Sequence, residues 1–257
     1  MGVAATTASV LRRGASLVVD ALLPPLCLGC QTVVDTPGTL CATCWAKIGW
    51  LAAPLCACCG LPFEFDPGLG APDELRCAAC LRDPPAFARA RAVFRYDEAS
   101  RNLILAFKHA DRTHAAPAFG QWLARAGGEV LQSADIVAPV PLHWLRLAWR
   151  RYNQAALIAQ TAAAVAGRNC VPDLLLRRRR TPSQGELGRA ERRRNVRRAF
   201  AVHPRHADAV AGARVLLVDD VFTTGATVEE CARTLLAAGA TAVDVLTLAR
   251  VIRPVAT

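Results

Sequence analysis

The chain has 257 residues, 53% of them hydrophobic, which excludes a largely disordered chain and leaves room for a full α/β domain plus a small appendage. Its net charge of +10, from 31 basic and 21 acidic side chains, favours anionic partners such as nucleic acid or phosphorylated substrates. Lysine occurs only at Lys47 and Lys108. In an alanine-rich chain this points to a GC-rich coding sequence, so the charge, and not the choice of arginine, is the signal.

Residues 1–26 read as a short amphipathic helix leading to Pro24-Pro25. Arg12 and Arg13 stand ahead of an apolar run from Ser16 to Leu26, the order found in secretion signals. Asp20 inside that run and the metal-type cysteines behind it argue instead for a cytoplasmic location. The run is too short to cross a bilayer, so no membrane insertion is expected.

Nine of the eleven cysteines fall between Cys27 and Cys80. Eight make four C-x-x-C pairs: Cys27 with Cys30, Cys41 with Cys44, Cys56 with Cys59, and Cys77 with Cys80. Such a pair sets two thiolates on one tight turn facing a common ion, and two turns complete a four-cysteine zinc site. A redox dithiol is the competing reading of a single pair. Four pairs within 54 residues favour zinc. The simplest arrangement joins the first pair to the second and the third to the fourth; an interleaved one is the alternative. Cys58 is a bystander. Closed four-cysteine sites are structural, so residues 27–85 are expected to form a double zinc ribbon, with catalysis elsewhere.

Asp83-Pro84-Pro85 marks a boundary, and residues 86–257 alternate strand and helix patterns. Strands are expected at Arg91–Tyr96, Ala134–Val140, Arg214–Val218 and Ala242–Ala249, with a short apolar piece at Leu174–Leu176. Helices are expected at Glu98–Ala110, Ala116–Gly127, Gln154–Ala166 (closed by Gly167) and Gly225–Ala238 (closed by Gly239). This alternation predicts an α/β fold: a parallel sheet flanked by helices.

The segment Val215 to Thr227 carries the chemistry. An apolar strand runs into Asp219 and Asp220, then a Thr/Gly-rich turn, then a helix. The turn gathers backbone N–H groups and the positive helix end at one point, an anion site. Thr223, Thr224 and Thr227 add hydroxyls, and Gly225 frees the backbone to approach a phosphate. Carboxylates at a strand's carboxyl end, beside an anion site, suit sugar hydroxyls or a metal.

Three further segments bear on this site. Pro139, Val140, Pro141 and Leu142 leave a strand at a stiffened turn, either as a ligand loop or as a plain strand exit. Arg151-Tyr152-Asn153-Gln154 precedes a helix, where Asn153 either caps the helix or meets phosphate. Arg177 to Arg198 holds ten arginines against Glu186 and Glu191. Around Thr181-Pro182-Ser183-Gln184-Gly185 it reads as a mobile loop. Arg178, Arg179, Arg180, Arg192, Arg193 and Arg194 would meet pyrophosphate or a nucleic-acid backbone there. The alternative is a solvated charged helix.

The string V-L-L-V-D-D-V-F-T-T-G-A-T is similar to the signature of type I phosphoribosyltransferases, which bind 5-phosphoribosyl 1-pyrophosphate (PRPP). The full order of features resembles the ComF family (ComFC-like). These are the cysteine pairs, F-K-H at Phe107–His109, P-V-P-L at Pro139–Leu142, R-Y-N-Q-A at Arg151–Ala155, R-R-R-T-P-S-Q at Arg178–Gln184, E-R-R-R-N-V at Glu191–Val196 and the PRPP string. The resemblance implies a type I phosphoribosyltransferase-like domain. Asp219 and Asp220 would serve as the catalytic, ribose-binding pair. The loop Thr223, Thr224, Gly225, Ala226 and Thr227 would hold the 5′-phosphate, the Pro139–Leu142 loop would bind pyrophosphate, and magnesium would enter with PRPP. It also implies a part in competence and uptake of single-stranded DNA, with DNA-uptake proteins as partners. No pattern in the sequence selects a nucleobase acceptor, so the fold alone does not establish turnover. A single-stranded-DNA-binding module with a regulatory or vestigial PRPP pocket is the alternative.

Overall fold

The structure is a computed structural model describing residues 24–64, 75–109, 113–179, 181 and 188–252. The helix expected over 1–26 lies outside these up to residue 23, as do Arg180 and residues 182–187 of the expected mobile loop. The chain divides into two compact units between Lys47 and Ile48.

In the first unit a tight turn bridges Leu26 to Val33, and a short helix, α1 (Ala42–Lys47), follows. Among the described residues of the second unit, the turn bridging Leu55 to Pro62 and the helix α2 (Ala78–Arg82) come first. Next are β1 (Arg89–Arg95), α3 (Glu98–His109), α4 (Ala116–Ala126), α5 (Gly128–Gln132) and β2 (Ile136–Pro139). Then come α6 (Trp144–Arg150), α7 (Gln154–Ala166), β3 (Asn169–Cys170), β4 (Leu175–Arg177), α8 (Arg189–Val196) and β5 (Phe200–Val202). The last are α9 (Ala207–Val210), β6 (Arg214–Phe222), α10 (Ala226–Ala237) and β7 (Ala242–Arg250).

The main sheet runs β1-β7-β6-β2-β3, every pairing parallel, as the alternating pattern requires. Central strands are apolar without alternation because both faces are covered. All four residues of β2 are buried, and Val215 to Val218 of β6 are wholly so. Val215 and Leu217 share one core cluster with Cys231 and Leu235 of α10, while α4 and α7 pack together and meet the sheet elsewhere. Beside the sheet, β4 and β5 form an antiparallel pair.

One boundary matters for function. The sequence pattern ends the central strand at Val218, but β6 continues to Phe222 because β7 pairs with it throughout, Asp219 opposite Thr247 and Phe222 opposite Arg250. On its other side the pairing stops early. Pro139 lies opposite Val218, and Val140 N–H to Val218 O (2.8 Å) is the last bond. From Asp219 onward that edge of β6 is open, which creates a crevice at the carboxyl ends of the strands.

The helix α6 falls where the sequence shows only a turn and a helix start. His143 caps it: its Nδ1 accepts the Leu145 N–H at 3.3 Å. The arginine-rich segment also differs in part from a loop. It begins at the end of β4 and is followed by β5, and Arg189–Val196 is helical, as the charged-helix alternative has it, with Glu191 Oε2 accepting the Gly188 N–H at 2.9 Å. Among the described residues, no helix is long and apolar enough to cross a membrane.

Candidate functional site: an anion pocket at the sheet end and two cysteine quartets

The crevice is a cavity of about 440 Å³. Asp219 and Asp220 are on its wall, with Phe222, Thr223, Gly225, Ala226 and Thr227 of the following turn. Gly225 is the N-cap of α10 with φ of 77°, and a Cβ there would lie 2.7 Å from Phe222 Cζ, so both backbone conformation and space demand glycine. Thr224 Oγ1 accepts the Ala226 N–H at 3.4 Å; Thr224 faces a neighbouring cavity, not this one. Val140, Pro141 and Leu142 line the opposite wall, while Pro139 is spent in the β2 ladder.

Asn153 joins these walls. Its Oδ1 accepts the Ala155 N–H (3.1 Å) and its Nδ2 donates to Val140 O (3.1 Å), so it caps α7 and fixes the 140–142 turn together. The two readings of Asn153 in the sequence thus share one residue: it is a cap, and it lines the cavity.

The pocket is charged with both signs. Asp219 and Asp220 face Lys108, Arg177 and Arg192. Lys108 Nζ is 2.7 Å from Asp220 Oδ2. Asp219 Oδ1 accepts the Asp220 N–H at 2.9 Å. Withdrawal from water at the pocket floor, and then the charge of Asp220, push the Asp219 carboxyl up to about 7, against the pull of Lys108 and Arg177. Behind the wall, burial holds the Cys231 thiol protonated, which makes it core and not nucleophile.

Of the six arginines singled out in the sequence, only Arg192 lines this cavity among the described residues. Arg193 pairs with Asp83 at 2.8 Å and lines the neighbouring cavity. Arg179 donates to Asn195 O (2.8 Å) and Arg197 O (2.9 Å), bracing the helix end. Arg178 and Arg194 do not line the cavity. Arg177, first residue of the arginine segment but not among those six, lines the cavity too, stands over the Phe200 ring and bonds Thr181; Lys108 was not assigned to the site from sequence. The F-K-H and R-Y-N-Q strings were the available signals.

The cysteines gather as the simplest pairing predicts. Cys27, Cys30, Cys41 and Cys44 form one cluster and Cys56, Cys59, Cys77 and Cys80 the other, the sulfurs of each within 4.8 Å of one another. Zinc–sulfur bonds of about 2.3 Å in a tetrahedron put sulfurs about 3.8 Å apart. Cys30 and Cys41 are 3.6 Å apart, and Cys59 and Cys77 3.7 Å. Backbone N–H groups of Cys41 (3.2 Å) and Gly29 (3.4 Å) point at Cys27 Sγ, and those of Cys77 (3.3 Å) and Cys59 (3.4 Å) at Cys56 Sγ, as thiolate ligands require. Both quartets fit zinc, and Cys58 belongs to neither.

The second quartet, part of the second unit, connects to the pocket. Arg250, at the end of β7, donates to Cys59 O (2.5 Å) and Cys59 Sγ (3.4 Å) and stacks over the Phe222 ring at 4.5 Å. Phe87 meets the same ring edge-on at 5.9 Å. A second cavity, of about 230 Å³, lies between this quartet and the 222–226 turn.

Comparison with known proteins agrees with this layout. Residues 18–83 match the double zinc ribbon domain family and residues 155–254 the phosphoribosyl transferase domain family. The chain is 33% identical over 237 residues to DNA utilization protein YhgH of Salmonella typhimurium, covering 89% of this chain and 98% of that one. It is 30% identical to Competence protein F of Haemophilus influenzae, covering 82% and 90%. It is 24% identical to Competence protein ComFC of Bacillus subtilis, covering 82% and 84%. With a zinc ribbon ahead of a phosphoribosyltransferase domain, and relatives matched over most of their length, the chain belongs to the ComF family.

Proposed function

We propose that this chain binds PRPP with magnesium in the cavity at the end of β6 and acts in the cytoplasm in handling DNA, as a phosphoribosyltransferase-type protein. In this reading the double zinc ribbon spans 27–85 and the PRPP-binding domain 86–257. The observation that carries it is one cavity wall holding two carboxylates at a strand end and, directly after them, a left-handed Gly225 opening a 12-residue helix. Asp219 and Asp220 accept the ribose 2′- and 3′-hydroxyls. Thr223 to Thr227 receive the 5′-phosphate at the α10 N-terminus. The 140–142 turn, Arg177 and Arg192 face the diphosphate. Magnesium, arriving with PRPP, neutralises diphosphate charge. In transfer, the C1–O bond breaks and its electron pair leaves with pyrophosphate. An incoming nucleophile then fills the oxocarbenium-like centre, which the surrounding charges stabilise.

Titration of the zinc-loaded chain with PRPP and Mg²⁺ tests this. Saturable binding, weakened at least about 100-fold in the Asp219→Asn/Asp220→Asn variant through loss of two charge-assisted acceptors, is the expected result. A folded wild type that binds no PRPP would overturn it.

A second reading is favoured by the exposed Arg193 and Arg194 on α8 and by the names of the relatives, which refer to competence and DNA utilization. Here single-stranded DNA binds the arginine segment and the pocket is regulatory. Affinity for an oligonucleotide would then fall steeply with salt and survive the double Asn substitution.

A further inference from the structure

The F-K-H and R-Y-N-Q strings meet at the cavity. Phe107 is buried against Phe119, ring centroids 5.1 Å apart, which fixes the end of α3. The last carbonyls of a helix have no donor within it. Here Phe107 O accepts from the Tyr152 hydroxyl (3.4 Å) and Lys108 O from Gln154 Nε2 (3.3 Å), with Gln154 only 2% exposed. The helix end is thereby stitched to the start of α7, and the Lys108 side chain is delivered into the cavity, its ammonium 2.7 Å from Asp220.

Of 31 basic residues only two are lysines, so a lysine at the pocket is an outlier in this composition. What it supplies, and arginine does not, is a compact charge with three rotatable donors, of which a bond to Asp220 takes one. The diphosphate of PRPP is on C1, vicinal and cis to the 2′-hydroxyl. A cation against the carboxylate pair that takes the ribose hydroxyls is therefore beside the diphosphate. The 5′-phosphate lies across the ring, toward the 223–227 turn.

We propose that Lys108 is a PRPP-binding residue whose ammonium bridges Asp220 and the 1-diphosphate. This rests on the PRPP reading of the pocket. It makes Lys108 specific for the diphosphate-bearing ligand, with the Asp220 pair as its position in the empty pocket.

The test compares Mg²⁺–PRPP with ribose 5-phosphate, which keeps the sugar and the 5′-phosphate and lacks the diphosphate. Each is titrated into zinc-loaded wild type, Lys108→Met and Lys108→Arg, with zinc content and melting confirming the fold. Lys108→Met should weaken PRPP about 10- to 100-fold, the worth of a bond between charged groups, and ribose 5-phosphate less than about 3-fold; Lys108→Arg should restore part of the PRPP affinity. Equal weakening of both ligands would mean that Lys108 only neutralises Asp220, and unchanged PRPP affinity would mean that it has no part; either overturns the proposal while leaving the pocket. If Lys108→Met fails to fold, Lys108→Arg decides alone: it should shift PRPP affinity and not ribose 5-phosphate, and equal shifts or none overturn the proposal. Wild type that binds neither ligand overturns the PRPP reading itself, and this inference with it.

Discussion

The two cysteine turns share a hydrogen-bond scheme and differ in surroundings. In the first, Cys27 N–H donates to Thr32 O (2.8 Å), Gln31 N–H to Cys27 O (3.0 Å) and Val34 N–H to Pro25 O (2.9 Å). In the second, the same three bonds run from Cys56 to Leu61 (2.8 Å), Gly60 to Cys56 (2.8 Å) and Phe63 to Pro54 (3.0 Å). The residue after the second cysteine is left-handed in both, Gln31 with φ of 63° and Gly60 with φ of 67°. In the first quartet Cys30 is exposed and Cys41 and Cys44 are partly so; in the second all four cysteines are buried. The second turn also bonds the sheet: Ala90 N–H donates to Cys58 O (2.6 Å), and Arg91 Nη1 to Ala57 O (3.0 Å). The difference teaches that the same metal-binding turn can carry exposed ligands or be buried and bonded into a neighbouring sheet, and that its ligands alone do not say which.

The largest separation should come from removing a ligand. Cys80→Ser takes a thiolate from a buried site whose metal contributes folding free energy on the order of 10 kcal/mol in isolated zinc peptides. Melting of the second unit should fall by more than about 10 °C, as several lost kcal/mol require. Cys44→Ser should leave that transition in place, and calorimetric scans of both variants would check it.

Next comes the left-handed position. A Cβ on Gly60 would lie 2.4 Å from Ala90 O, so Gly60→Ala adds a backbone clash to the cost of positive φ. A loss of about 2–4 kcal/mol in denaturant unfolding is expected. Gln31→Gly, which relieves the same strain in the first turn, should leave the second unit's stability unchanged.

Smaller still, Arg250→Met cuts the link between Cys59 and Phe222 without touching a cysteine. Zinc content should stay at the wild-type value while PRPP affinity drops about 10-fold, the worth of one hydrogen bond to a charged group. Metal analysis beside a titration would show both.

Mild acid should act on the pocket through Asp219, lifted to about 7 by burial and by Asp220. An unfolded aspartate titrates near about 3.9, so between those values the folded chain holds a proton that the unfolded chain has released. This group therefore favours folding as pH falls through 7. Ribose hydroxyls need the ionised acceptor, so PRPP affinity should move the other way, weakening up to about 10-fold from pH 8 to 6. Titrations at the two values would show it.

Much of this was legible in the residues. Cysteine spacing is local chemistry, so the eight ligands could be read directly, while the choice between the simplest and an interleaved pairing came from the fold. The apolar run into Asp219-Asp220 and the Thr/Gly turn marked, for the same reason, residues that line the cavity. The strand end at Phe222 was not legible, because only pairing with β7 carries β6 past two carboxylates. α8 was legible only as the alternative reading, a solvated charged helix: six of its eight residues are charged or Asn, so no apolar stripe marks it, and Val196 is its one wholly buried described side chain. Lys108 reaches the pocket through bonds to Tyr152 and Gln154, more than 40 positions along the chain, which no window of sequence contains. The same holds for Arg250, whose partner Cys59 is 191 positions away.

The central claim is that the second zinc module braces the 222–227 turn, which lines the cavity, through the Cys59–Arg250–Phe222 link. Hydrogen exchange of the backbone amides in the Cys44→Ser and Cys80→Ser variants tests it without any ligand. Cys80→Ser should speed exchange in the 54–63 turn and in the 222–227 turn together, while Cys44→Ser affects only residues before 48. A 222–227 turn that keeps its protection when the 54–63 turn has lost it would contradict the claim.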